Sequence, residues 1–331
     1  MLEEERVADP VVVEELTKTY PGGVQAVRGV SFRVRPGEVF GLLGPNGAGK
    51  TTTIGVLTTL VRPSGGRALV GGHDVVAEPL AARRSIGVVF QESVLDNDFS
   101  GLANLRLHAR LWRVPDADAR IASLLDAVGL SERASDSVRT YSGGMRRRLE
   151  IARALMARPS VLFLDEPTLG LDPIVRRELW QTIGALRERE QVTVLLSTHY
   201  LEEAETVCDR VAIIDRGRLI AHDGPARLVA AVGPQMLELS VDGDPTGALA
   251  ALAELGPSVG QPLRVGPTVS VATSEASEAL TERVGALGLS RLGVRSITVR
   301  PTTLNDVFLI LTAHRAADHD AAGGVAVGAG S

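Results

Sequence analysis

The chain has 331 residues, 44% of them hydrophobic and 23% charged, with a formal net charge of −5 at pH 7. That length supports one large domain and a smaller one, and the acidic balance argues against a broad nucleic-acid-binding surface, so no nucleic-acid partner is expected. The single cysteine, Cys208, excludes an internal disulfide, has no metal-ligand spacing around it, and reads as a small packed side chain.

The first ten residues, "MLEEERVADP", are acidic and polar and read as a flexible N-terminus, without the basic start and apolar core of a secretory signal. Residues 11–19 alternate as a strand. "GVSFRVRPGEVFGLLGPNGAGKTTTIGVLTTL" then predicts a strand, a turn, a second strand, a Gly-rich loop and a helix. "RSIGVVFQE" reads as a buried strand. From Ser100 to Leu130 the apolar residues fall at three- and four-residue spacing, so a helical insertion is expected over about 92–140. Strands return at "SVLFLDEP", "VTVLLSTH" and "DRVAIIDRG", separated by helical stretches. This order predicts an α/β domain over residues 11–230 with a largely parallel sheet.

Residues 234–312 change pattern. The order βαββαβ, from "QMLELSVDG" to the closing helix "TTLNDVFLILTAHR", predicts a small α+β module of ferredoxin-like type. Residues 313–331, rich in Ala and Gly, read as a disordered tail. No apolar run reaches the ~18 residues of a spanning helix. The expectation is a cytoplasmic chain whose membrane role comes through a partner.

Gly44, Pro45, Asn46, Gly47, Ala48, Gly49, Lys50 and Thr51 match the phosphate loop G-x-x-x-x-G-K-[ST], with Thr52 following it. The glycines let backbone N–H groups turn inward on phosphate, Lys50 supplies charge to the terminal phosphates, and Thr51 offers a hydroxyl to Mg²⁺. Lys50 reads as a solvent-facing loop charge rather than a core residue. A strand precedes the loop and a helix follows, as the chemistry requires. "VLFLDEP" ends a buried strand in two carboxylates at the sheet edge where ligands bind. Asp165 suits an outer ligand of Mg²⁺, and Glu166 a general base for the attacking water.

"TYSGGMRRRLEIARAL" opens a second helix, with Met145, Leu149, Ala152, Leu155 and Met156 on one face. Ser142 stands at its cap and Gly143 and Gly144 leave the N–H groups bare, which makes the helix start an anion site. Arg146, Arg147 and Arg148 sit at the positive end of the helix dipole, unfavourable by ~0.3–1 kcal/mol per exposed charge. They read either as a solvated basic face or as charges offset by a nearby phosphate.

Six ordered motifs over residues 11–228 resemble the ATP-binding subunit of an ABC transporter. "GPNGAGKT" is similar to Walker A, "VLFLDEP" to Walker B and "YSGGM" to the signature, with Met145 where glutamine is commonest. "GLD", ending in Asp172, resembles the D-loop, Gln91 the Q-loop glutamine and His199 the switch histidine. Tyr20 resembles the aromatic that stacks on adenine, although a tyrosine before Pro-Gly-Gly also suits a plain turn. The resemblance implies ATP and Mg²⁺ as ligands, with Thr51, Gln91 and Asp165 around the metal and Glu166 and His199 in catalysis. It also implies a head-to-tail dimer, in which the Ser142 helix start of one copy closes on ATP held by the other.

The absence of a coiled-coil insertion and of a second cassette leaves a subunit that pairs with a separate permease on the inner face of the cell membrane. The terminal "LNDVFL" (Leu304–Leu309) resembles the daunorubicin-resistance type of bacterial drug exporter, whose permease is of the ABC-2 type. The alternatives are a soluble ABC ATPase acting on a protein or RNA assembly, and an importer subunit with a C-terminal sensor. Gln91 leads from a strand into the helical insertion, and residues 96–105 are the candidate permease contact.

Overall fold

The computed structural model describes residues 8–254, 260–274, 283 and 293–323. The chain divides into two compact units, residues 1–222 and 223–331.

The first unit carries two sheets. Strands β1 (Val11–Thr19), β2 (Gln25–Val34), β4 (Gly65–Val70) and β5 (His73–Asp74) form an antiparallel sheet in the order β2-β1-β4-β5. The second sheet runs β10-β9-β3-β8-β7-β6, from β3 (Val39–Leu43), β6 (Ile86–Val89), β7 (Val161–Asp165), β8 (Thr193–Thr198), β9 (Arg210–Asp215) and β10 (Arg218–Asp223). Its five strands from β9 to β6 pair in parallel. Every residue of β3, β7 and β8 is buried, which is why these segments read as continuous apolar runs: layers cover a parallel sheet on both faces. The antiparallel sheet was not legible as a separate layer. Its strands pack onto the parallel sheet through Val30, Phe32, Phe40 and Phe163, with Phe32 and Phe40 stacked at 5.2 Å.

After helices α1 (Lys50–Leu57) and α2 (Pro79–Arg84), the helical insertion forms α3 (Gly101–Leu111) and α4 (Ala117–Ala127), followed by the signature helix α5 (Gly143–Ala154). Ser100 caps α3 by accepting from Ala103 N at 3.1 Å. Among the described residues no helix is long and apolar enough to cross a membrane. Cys208 is buried against Gly41, where an added Cβ would sit 2.9 Å from its sulfur. Burial pushes its thiol well above the ordinary range.

The second unit begins earlier than residue 234. Helix Pro225–Val232 belongs to it, with Val232 packed against Met236, Ala272 and Ile310 of the same unit. Its sheet is fully antiparallel, in the order β12 (Leu263–Val265), β13 (Thr268–Thr273), β11 (Gln235–Val241), β14 (Val294–Pro301). With helix Thr246–Ala253 after β11, this is the strand order of a split β-α-β unit. The second helix expected, over "EASEALTERVGALG", lies outside the described residues apart from Arg283. The closing helix runs Leu304–Gly323, past residue 313 where a disordered tail was expected. Its extension is alanine-rich, and alanine has the highest helix propensity. Residues 1–7 and 324–331 lie outside the described residues.

The "LNDVFL" motif is a helix start. Leu304 and Val307 are buried, while Asp306 accepts from Thr303 N at 2.8 Å and from both terminal nitrogens of Arg300 at 2.7 and 2.8 Å. Arg300 also donates to Glu238 at 2.6 Å. Burial pushes the Asp306 carboxyl up, but Arg300 and Thr303 outweigh it and hold it below the usual carboxylate range.

Candidate functional site

The loop between β3 and α1 (Lys50–Leu57) closes because two glycines adopt geometries that a side chain would forbid. Gly44 has φ +149°, and a Cβ there would lie 2.1 Å from Ile214 O. Gly49 has φ +107°, and its Cβ would lie 2.4 Å from Ala26 O. The turn between β9 and β10 braces the loop: Gly217 N donates to Ala48 O at 2.8 Å, and Arg28 N donates to Gly217 O at 2.7 Å.

Lys50 is not solvent-facing. It is 5% exposed, and its Nζ donates to Gly44 O at 2.7 Å and Pro45 O at 3.2 Å. The ammonium curls back over its own loop and sits 3.6 Å from Glu166 Oε1. Burial lowers its pKa, and the charge of Glu166 opposes the shift.

Strand β7 delivers Asp165 and Glu166 beside this lysine. Asp165 accepts a hydrogen bond from Ser197 Oγ on β8 and another from the Thr51 side chain. Burial raises its pKa and Glu166 adds to that, against Ser197, Lys50 and Thr51. Glu166 has φ +49°, a left-handed backbone rarely adopted outside glycine, held by Ser197, whose O and Oγ accept from Glu166 N. Its Oε2 lies 2.8 Å from His199 Nδ1. The carboxylate is therefore pinned between the phosphate-loop lysine and the histidine that follows β8.

These groups open onto one cavity of about 520 Å³, lined by Tyr20, Pro45, Asn46, Gly47, Gly49, Lys50, Thr51, Thr52, Gln91, Glu166 and His199. Tyr20 stands at its rim with its hydroxyl 3.4 Å from Thr52 Oγ1. Seven expected residues lie outside this lining: Gly44, Ala48 and Asp165, which are buried, and Ser142, Gly143, Gly144 and Asp172. Ser142 caps α5 by accepting from Met145 N at 3.2 Å; Ser142 and Gly143 are exposed, and Gly144 is buried. Asp172 caps α6 (Pro173–Glu190), accepting from Ile174 N and Val175 N at 3.1 and 3.0 Å. The structure thus brings the phosphate loop, Gln91, Glu166, His199 and Tyr20 onto one cavity, and leaves the Ser142 helix start exposed outside its lining.

An oxygen-only set at Thr51 and Asp165, with Gln91 beside it, fits Mg²⁺, which keeps most of its shell in water and phosphate oxygens. Among the described residues no cluster of three or more His, Cys, Asp or Glu could cage a metal alone.

Arg28 and Arg216 also line the cavity and were missed from sequence. They come from β2 and the β9–β10 turn and belong to no motif. Also missed was a cluster behind His199. Its ring lies 4.1 Å from that of Tyr200, which carries the Arg176 guanidinium at 4.3 Å, and Arg176 pairs with Glu203 at 2.9 Å. Thr168 donates to the same carboxylate at 2.8 Å.

The three arginines after the signature are not a solvated basic face. Arg146 donates to Arg139 O at 3.4 Å and Arg148 to Val128 O at 3.3 Å, while Arg147 is buried. Main-chain carbonyls supply the negative partial charge that the helix dipole lacks at this end.

Residues 27–169 match the family model described as ABC transporter. The chain is 42% identical over 308 residues, 92% of each chain, to the daunorubicin/doxorubicin resistance ATP-binding protein DrrA of Streptomyces peucetius. The chain belongs to the ABC transporter family. It is the ATP-binding, ATP-hydrolysing subunit. It is also 40% identical over 310 residues, 91% of this chain and 93% of the other, to the doxorubicin resistance ATP-binding protein DrrA of Mycobacterium tuberculosis. Among solved structures, cbiO1 of Clostridium perfringens, part of an ABC transporter complex, matches with TM-score 0.63 and 29% identity over 67% of this chain and 91% of that one. A dimeric ATP-binding cassette in a post-hydrolysis state with ADP and Pi matches with TM-score 0.58 and 26% identity over 65% of this chain and 98% of that one.

Proposed function

We propose that this subunit powers a separate permease, of the ABC-2 type, that exports a drug, an antibiotic or another hydrophobic compound across the cell membrane, and that it works on the cytoplasmic face. One observation carries the reading: the likeness to drug-resistance ATP-binding proteins runs through 91–92% of this chain, the second unit included.

In this reading ATP lies in the cavity with its adenine on Tyr20 and its phosphates on the Gly44–Thr52 loop. Lys50 leaves its loop carbonyls for the terminal phosphates. Thr51, Asp165 and Gln91 would hold Mg²⁺, which would supply positive charge against the phosphates. Glu166 takes the proton of the attacking water, and His199, hydrogen-bonded to it, fixes its orientation. The Ser142–Gly143–Gly144 start of a second copy, exposed at Ser142 and Gly143, closes the site head to tail, with Asp172 at the same interface.

The permease contact falls on residues 96–105, whose helix α3 further along contributes His108 and its cap Trp112 to a groove with Leu60, Val88 and Phe90. Asn104 holds the near end of that segment, accepting from Asp96 N at 2.9 Å.

The test is transport. Inside-out vesicles containing this chain and a candidate polytopic permease should accumulate doxorubicin with ATP, and Glu166→Gln should stop the accumulation. Equal uptake by both would reject the assignment.

A further inference from the structure

Arg147 is the middle of the three signature arginines, and the nucleotide chemistry above does not use it. It is 8% exposed, and its partner Glu150 is 3% exposed. Its Nη1 donates to Phe90 O at 2.6 Å and to Glu150 Oε2 at 2.8 Å, and its Nη2 donates to Gln91 O at 3.2 Å. Burying an arginine is costly unless its donors and charge are both met. Here they are spent on two successive carbonyls where the parallel sheet passes into the helical insertion.

Those carbonyls belong to a strategic place. The Gln91 side chain lines the ATP cavity of this chain. Arg147 stands on α5, little more than one helical turn beyond Ser142, whose exposed end is the anion site. One side chain therefore fastens the main chain of a cavity-lining residue to the helix whose start lies outside that cavity's lining.

We propose that Arg147 is a positioning residue that makes Gln91 and the Ser142–Gly144 helix start move as one body. ATP in a chain's own loop then sets the placement of the half-site that it offers to a second copy. The inference rests on the head-to-tail reading above. The physical reason is rigidity. A planar guanidinium holding two main-chain acceptors fixes direction as well as distance, which a lysine ammonium cannot do. The contact is buried in close packing, so a small shift at Gln91 is passed on to α5 rather than absorbed.

The test uses the full chain carrying Glu166→Gln, with light scattering in Mg-ATP beside direct ATP binding. The parent must dimerise with ATP; if it does not, the head-to-tail reading falls and this proposal falls with it. Adding Arg147→Met and Glu150→Leu together removes the link without leaving a buried charge unpaired. Monomer ATP affinity should stay unchanged, because the phosphate loop is untouched. The ATP concentration at half-dimerisation should rise roughly 5- to 150-fold, the range of a coupling between sites. Arg147→Lys, which keeps the charge but not the fork, should fall between the two. A half-dimerisation point equal to the parent's, in the double variant or in Arg147→Lys should the double variant fail to fold, overturns the proposal. So does a loss that appears equally in monomer ATP affinity, which is the signature of a merely structural role.

Discussion

Glu166 Oε2 lies 2.8 Å from His199 Nδ1, across the gap between the ends of two neighbouring parallel strands. The contact joins a residue in left-handed backbone to one that follows β8, and Lys50 closes it from the other side at 3.6 Å. The carboxylate is thereby held in one place beside the phosphate loop. Fixed orientation is what a general base needs before its basicity matters.

Glu166→Gln keeps the shape and hydrogen bonding of this carboxylate and removes its capacity to accept a proton. Hydrolysis should fall by roughly 10²–10⁴-fold, with ATP binding retained. The closed dimer should then accumulate in Mg-ATP, as light scattering would register. Retained turnover would remove Glu166 from the role of base.

Ser142→Asp, added to Glu166→Gln, should undo that accumulation. Aspartate caps a helix as well as serine does, so α5 should survive, but a carboxylate now occupies the exposed anion site. Gly144→Asp is a poorer probe, because a Cβ there would meet Val175 at 2.4 Å within the same chain. Full dimerisation of the double variant would show that the signature does not close on ATP across the interface.

Lys50→Ala should weaken ATP binding by roughly 10- to 100-fold, the worth of a hydrogen bond to a charged group. Two loop carbonyls and Glu166 also lose their partner, so a lower melting temperature is expected as well. A direct binding titration decides it, and near-normal affinity would sink the phosphate-loop assignment.

His108 gives a pH dependence with a definite sign. Burial, with Arg153 adding to it, lowers the imidazole pKa from 6.5 to about 4. Above pH 6.5 the group is neutral folded and unfolded, and the fold is not penalised. As pH falls from 6.5 toward 4, only the unfolded chain takes up the proton, so stability is lost across that window. His108→Gln should therefore lose less melting temperature than the unsubstituted chain on going from neutral pH to pH 5. Parallel losses would place the imidazole in contact with solvent.

Arg300→Met should destabilise the second unit by about 1–3 kcal/mol, because Asp306 and Glu238 lose a shared cation. Asp306 is held below the usual range, so its contribution is full above the unfolded carboxylate value of about 4 and fades as pH falls through the lower folded value. Chemical denaturation of the full chain should show the deficit at neutral pH and a smaller one in acid.

The sequence by itself determined the phosphate loop, the two carboxylates after β7 and the parallel sheet, because each rests on local rules. Glycine, lysine and threonine at fixed spacing are chemistry that needs no neighbour, and a strand buried on both faces reads as an unbroken apolar run. The capped start at Ser142 was legible for the same reason. What only the tertiary structure decided involves partners distant along the chain. Lys50 turned inward because Glu166, 116 positions later, offers it a counter-charge across the sheet edge. Arg147 became a buried fastener because the carbonyls of Phe90 and Gln91 arrive beside α5. A guanidinium at a helix start looks solvated in sequence. Whether it meets water or a carbonyl depends on which loop the fold lays against it.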